Sequence, residues 1–101
     1  TYNTAVGYAA GAAITTGVSN TLIGAQAGDA LTTGAYNVAV GQHALGAEDG
    51  DGRNVAIGYQ ALALQNAGAD AYNVAIGYNA GLAVTTGTLN TIVGGEAAIE
   101  L

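Results

Sequence analysis

The chain has 101 residues and a net charge of −6, with a single basic residue, Arg53, against seven acidic ones. It contains 23 Ala and 17 Gly but no Pro, Cys, Met, Trp or Phe. These counts exclude a disulfide scaffold and a cysteine-based metal or redox site, and the lack of basic residues argues against a nucleic-acid partner. No apolar run approaches the roughly 20 residues of a membrane span, so we expect no membrane insertion.

A five-residue motif, Asn-(Thr/Val)-(Ala/Leu/Ile)-(Val/Ile)-Gly, recurs along the whole chain. The six copies begin at Asn3, Asn20, Asn37, Asn54, Asn73 and Asn90. They are 17 residues apart, except for one interval of 19, and an Ala always lies three positions after the motif Gly. Helical repeats need about 30 residues or more, so a unit of this length argues against them.

The motif is apolar and rich in β-branched residues, and its final Gly suits a bend, so each copy predicts one short strand. In three repeats the segment that follows contains Thr-Thr-Gly, which predicts a return path with a turn. We therefore predict an all-β fold, a parallel β-solenoid of six coils of about 17 residues. Residues 1–101 form a single repeat domain, and because the chain starts at Thr1 rather than Met we interpret it as a piece of a longer protein.

The stacked Asn residues have two structural interpretations. Aligned side chains can bond amide to amide along the stack, or Asn can simply suit the turn before the strand.

Both faces of each predicted strand are apolar. The second and fourth motif positions share one face, and the third position points to the other. One coil encloses only one small interior, so the other face forms an apolar stripe of the kind that marks interfaces. We assign the third position to the axis of a cyclic homo-oligomer, although the pattern does not distinguish two copies from three. This predicted axis consists of Ala5, Leu22, Ala39, Ala56, Ala75 and Ile92.

Asn-Val-Ala-Ile-Gly at 54–58 and 73–77 resembles the head repeat of trimeric autotransporter adhesins. That head is a left-handed parallel β-roll of three intertwined chains. The longer unit, which ends in Thr-Thr-Gly, more closely resembles repeats of phage tail-fibre proteins. The resemblance implies a left-handed homotrimer that belongs to a longer fibre protein. It also implies an extracellular location, in a virion tail fibre or a microbial cell-surface appendage.

Two groups of residues are candidate receptor contacts. Tyr8, Tyr59 and Tyr78 each follow a motif Gly and either stack on a sugar or protein receptor or cover the edges of the core. Glu48, Asp49, Asp51 and Arg53 lie in a charged segment that replaces the Thr-Thr-Gly turn of its repeat. This segment lacks the complete pattern of a calcium loop, so we interpret it as a solvated turn and predict no metal. The two-residue insertion in the fourth repeat, within 64–70, is a further candidate loop for lateral contacts.

No catalytic constellation is recognisable, so we predict no enzyme activity and no cofactor. The lone His43 occupies a mostly polar repeat position and is interpreted as a surface residue. The favoured function is a structural trimeric fibre segment that spaces or presents a receptor-binding tip. One alternative is an adhesin head that binds a host-surface protein or glycan directly through its repeats. A second alternative is an ice-binding solenoid, which requires a flat array of outward Thr side chains.

Overall fold

Each motif forms one strand of a single parallel sheet in the computed structural model, which describes residues 1–100. The strands are β1 Thr4–Val6, β2 Thr21–Ile23, β3 Val38–Val40, β4 Val55–Ile57, β5 Val74–Ile76 and β6 Thr91–Val93. They pair in chain order, so five complete turns of the chain connect six stacked strands. The predicted β-solenoid with one strand per repeat is confirmed. Residues 1–100 contain no helix of the length and apolarity that a membrane crossing needs.

The strands stack in register, so each motif position lies directly above its equivalent in the next coil. Leu22 pairs with Ala39, and Ala56 pairs with Ala75. The second of these pairs spans the 19-residue interval, which leaves the sheet register unchanged. The two extra residues of the fourth repeat are therefore accommodated on the return path, outside the strands.

Tight turns with left-handed residues reverse the chain after each strand. In coil 2, the coil that begins at Asn20, the N–H of Ala27 donates to the carbonyl of Gly24 at 3.1 Å. Gln26, the third of the four residues in this turn, has a φ of 61°, as that position of a type II turn requires. A second turn follows, in which the N–H of Leu31 donates to the carbonyl of Gly28 at 3.1 Å. Successive turns of this kind fold the return half of each 17-residue unit without any Pro.

Close approach between coils explains the invariant Gly at the end of each motif. Gly41 has a φ of +128°, and a Cβ built on it would lie 2.6 Å from the carbonyl carbon and oxygen of Gly58 in the next coil. No larger residue fits this position, because the adjacent backbone cannot move away without breaking the stack.

The third motif position points into the interior of the chain's own coils. Leu22, Ala39, Ala56 and Ala75 are fully buried, whereas the outer members Ala5 and Ile92 are less buried because terminal coils have a neighbour on one side only. The prediction that Ala5, Leu22, Ala39, Ala56, Ala75 and Ile92 form an oligomer axis is therefore wrong. A narrow coil turns its smaller face inward, and this position is Ala in four of the six repeats.

Side-chain sizes are matched inside the core. Coil 2 carries the large Leu22 opposite Gly28, and a Cβ on that glycine would lie 2.8 Å from a Leu22 methyl group. Coil 3, which begins at Asn37, reverses the arrangement with Ala39 and the fully buried Leu45. Since Gly28 and Leu45 occupy the same repeat position, one large and one small residue share the space in each of these coils.

Candidate functional site

The Asn residues form a continuous hydrogen-bonded row through all six coils. The Oδ1 atom of each Asn except the last, Asn90, accepts a bond from the backbone N–H of the next Asn, at 2.9 to 3.2 Å. Side-chain amide-to-amide bonds of 3.1 Å occur in addition at Asn20, Asn54 and Asn90. The ladder interpretation is thus confirmed, with the backbone N–H as its regular donor.

The same Asn side chains also tie the two halves of a coil together. The Nδ2 group of Asn20 donates to the carbonyl of Gly34 at 2.9 Å, and Asn37 donates in the same way to Asp51 at 3.1 Å. These partners are 14 residues apart, on the strand side and the return side of one coil. Asn20 and Asn37 are fully buried, so the row is an internal structural element and offers no surface to a partner.

Glu48 lies in the core rather than in a solvated turn. It occupies the inward position that Ile14, Leu31 and Val84 fill in other coils, and its side chain is fully buried. The prediction that Glu48 contacts a receptor is therefore wrong, because no partner can reach it. The sequence repeat indicates this burial, because Glu48 occupies the position of the aliphatic residue that precedes Thr-Thr-Gly in other repeats.

Protein groups satisfy the Glu48 carboxylate. Its Oε2 atom accepts a 2.7 Å bond from the amide of Gln65, and its Oε1 atom accepts a 3.3 Å bond from the N–H of Asp51. Burial raises the pKa of the Glu48 carboxyl above 4.5, the Gln65 bond opposes this shift, and the nearby Asp51 charge adds to it. Carboxylate oxygens of Glu48, Asp49 and Asp51 lie within 4.8 Å of one another. Since both Glu48 oxygens already have donors, we assign no cation to this group.

Arg53 is held between two aromatic rings. Its guanidinium carbon lies 5.0 Å from the ring centroid of Tyr36 and 5.9 Å from that of Tyr72, in the adjacent coils on either side. It also forms an ion pair with Asp70, and Asp70 accepts a 3.0 Å bond from the N–H of Gly52. The insertion in the fourth repeat thus contributes the partner of the only basic residue. These contacts already occupy Arg53, so a receptor role for it stays a prediction.

The other predicted contact residues lie at or near the surface. Tyr8, Tyr59 and Tyr78 are exposed, and the rings of Tyr59 and Tyr78 stack with centroids 5.3 Å apart and planes 15° apart. Asp49 is exposed and Asp51 is half-buried. Mutual stacking gives Tyr59 and Tyr78 a structural role, and the contact of all three tyrosines with a receptor stays a prediction.

The second and fourth motif positions form the outward face of the sheet. At the fourth position, Val6, Ile23, Ile76 and Val93 are 58%, 39%, 38% and 67% exposed, and Val40 and Ile57 between them are half-buried. We call the row of these six residues the aliphatic face. It runs through every coil and carries no charge, so it is the apolar surface that a partner would cover.

The described residues define a parallel β-solenoid repeat protein. Comparisons of the chain with protein-family models, with curated proteins and with solved structures found no match.

Proposed function

We propose that the chain is a structural segment of a homotrimeric fibre, coiled as a left-handed β-roll. The aliphatic face is the observation that carries this proposal. Six β-branched aliphatic side chains in one uncharged row are unusual on the surface of a chain with a net charge of −6. Packing three such rows around a common axis removes them from water and brings no charged side chain of the row into the contact.

The burial of apolar area favours packing three chains against one another. The interior of one chain consists mostly of Ala with a few Leu side chains, and small side chains bury little apolar area per residue. Full burial of a Val or Ile side chain contributes about 1.5–3 kcal/mol. The aliphatic face therefore supplies the apolar burial that a narrow solenoid lacks when it is alone.

A spacer role in a phage tail fibre or a similar surface appendage fits this construction. The regular Asn row and the in-register sheet support a stiff rod, which would hold a receptor-binding tip at a distance. On this proposal the chain acts outside the cell, its partner is itself, and it catalyses no reaction.

An adhesin head that binds a host-surface protein or glycan is the alternative. The exposure of Tyr8 and Tyr78, at 80% and 54%, supports it. Ice binding is supported less well, because the hydroxyl groups of Thr15 and Thr32 donate to backbone carbonyls of the next coil. Such hydroxyls are not free to order water.

Cross-linking tests the proposed contact between copies. The chain has no Cys, so a single thiol can be placed by Ile76→Cys on the aliphatic face. Thr86→Cys, on an exposed turn of the same coil, is the matched control. With a short bis-maleimide at micromolar protein, we expect a covalent dimer for Ile76→Cys and little for Thr86→Cys. Equal, weak cross-linking of the two variants would refute the shared axis.

A further inference from the structure

A polar groove crosses coils 2 to 4 on the return side of the solenoid. It has a volume of about 330 Å³ and is lined by Gln26, Asp29, His43, Gly46, Ala47, Gln60 and Ala63. This size lies at the lower end of the range for ligand pockets, about 300–1,000 Å³. The groove opens at Gly46 because this residue has no side chain, whereas the equivalent position carries Asp29, Ala63 and Leu82 in neighbouring repeats.

Stacked turns bring three polar side chains, one from each of coils 2 to 4, into a row along the groove. Gln26, His43 and Gln60 occupy the same repeat position, two residues after a motif Gly, and their φ angles are 61°, 60° and 55°. The N–H of His43 donates to Ala25 at 3.0 Å, and that of Gln60 donates to Gln42 at 2.9 Å. The backbone is therefore fixed from coil to coil, and the side chains project from a rigid support.

The polar side chains of the groove have no hydrogen-bond partner within the described chain. Among residues 1–100, the side-chain hydrogen bonds involve the Asn row, the threonines and the charged segment, and none involves Gln26, Asp29, His43 or Gln60. Two carboxamides, an imidazole and a carboxylate thus present both donors and acceptors to the groove. The small Ala47 and Ala63 provide apolar surface beside them.

The charge of the groove restricts its ligand. It contains the carboxylate of Asp29 and no Lys or Arg, and the only such residue in the chain, Arg53, is paired with Asp70. Phosphates, sulfates and acidic sugars are disfavoured for this reason. Three or more metal-ligating side chains come together within residues 1–100 only at Glu48, Asp49 and Asp51, outside the groove.

We propose that this groove binds a neutral saccharide ring. Adjacent hydroxyls of the ring donate to the Asp29 carboxylate and exchange hydrogen bonds with the Gln26, His43 and Gln60 side chains, while its C–H face lies against Ala47 and Ala63. This binding goes beyond the structural role proposed above and does not depend on the number of chains in the fibre.

A titration of the whole chain followed by NMR tests the proposal. The probes are methyl α-D-mannopyranoside and methyl β-D-galactopyranoside, with N-acetylneuraminic acid as the acidic counterpart and glycerol as a ring-free polyol. We expect at least one neutral glycoside to produce saturable shifts of the His43 ring and the Gln26 and Gln60 amide signals at millimolar concentration. The acidic sugar and glycerol leave these signals unchanged.

Two variants show whether the groove itself is responsible. Gly46→Leu fills it with the side chain that Leu82 carries at the same repeat position, and Ala12→Leu makes the same change in coil 1, outside the groove. We expect Gly46→Leu to abolish the shifts and Ala12→Leu to retain them. Asp29→Asn keeps the size and shape of the side chain, and we expect it to weaken the affinity about tenfold because a charged acceptor is lost.

The proposal is overturned if no glycoside produces saturable shifts, if glycerol produces the same shifts, or if Asp29→Asn binds as tightly as the parent chain. Circular dichroism of Gly46→Leu distinguishes a filled groove from an unfolded chain. The glycoside affinities of the parent chain and Asp29→Asn can be compared whether the chain is a monomer or a trimer. The test of the groove therefore does not depend on the trimer proposal.

Discussion

The side-chain amide of Gln65 donates a 2.7 Å hydrogen bond to the carboxylate of Glu48 in the preceding coil, and both side chains are fully buried. They replace two aliphatic residues at equivalent inward positions of the solenoid. Gln65 also accepts a 2.7 Å bond from the Nδ2 group of Asn73, which joins the pair to the Asn row. A carboxyl group is therefore tolerated in a narrow core because protein donors reach both of its oxygens.

Glu48→Gln tests the cost of this buried charge. The pKa of Glu48 is raised above 4.5 by burial, so folding disfavours the ionised carboxylate relative to the unfolded chain. The stability that Glu48 contributes is complete below pH 4.5 and is lost as the pH rises through its folded-state pKa. We expect Glu48→Gln to have a higher Tm than the parent at pH 7, with the difference shrinking toward pH 4.

Asp49→Asn is the control for this experiment, because it also removes one negative charge but at an exposed neighbouring position. Its Tm difference from the parent should depend less on pH. A Glu48→Gln profile parallel to that of the parent between pH 4 and 7 would contradict the buried charge.

Asn37→Ala tests the Asn row. The change removes the acceptor of the Asn54 N–H and the donor to the Asp51 carbonyl, at bonds of 3.1 Å each. Because the unpaired groups stay buried, we expect a loss of about 2–4 kcal/mol in the free energy of unfolding. Urea denaturation measures it. Asn66→Ala, at an exposed position, should change stability by less than about 0.5 kcal/mol, and equal losses would count against the row.

Leu22 and Gly28 test size matching in the core. Leu22→Ala leaves a cavity and should cost about 2–5 kcal/mol, and Gly28→Leu overfills the same space and should cost about 1–3 kcal/mol. The double variant recreates the arrangement of Ala39 and Leu45, in which Leu45 adopts a φ of 54°. We expect the double variant to lose less free energy of unfolding than the two single variants together, by about 1 kcal/mol or more. Strictly additive losses in a denaturation cycle would contradict the matching.

Asp70→Ala tests the contribution of the insertion. It removes the ion pair with Arg53 and the bond to the Gly52 N–H. Since the pair is about half-exposed, we expect a loss of about 1 kcal/mol, and most of this loss should remain at 1 M NaCl if the Gly52 bond carries it. Tm measurements at low and high salt separate the two contributions. No loss at either salt concentration would show that the loop is held by other contacts.

The strands were predictable from the sequence because the repeats can be aligned with one another, and the alignment identifies equivalent positions. The apolar motif and the fixed spacing gave every strand from Thr4–Val6 to Thr91–Val93. Periodicity alone did not decide which face of the strand turns inward. That choice depends on the width of the coil, which the Ala at the third position fits and the branched side chains at the fourth do not.

The surroundings of the charged segment were less predictable. The charged neighbours Asp49 and Asp51 predict a charged turn at Glu48, yet its position in the repeat is that of Leu31. Repeat register decides burial here more strongly than residue type does. The polar groove was not recognisable either, since it depends on three stacked turns and on the missing side chain of Gly46.

The native mass of the unmodified chain shows whether three copies assemble in solution. Light scattering on a sizing column gives it without reference to shape. Three chains of 9.7 kDa give about 29 kDa, and we expect this mass together with a strand-type circular dichroism spectrum. A folded species of 9.7 kDa at all concentrations would contradict it, because the aliphatic face would then remain in water.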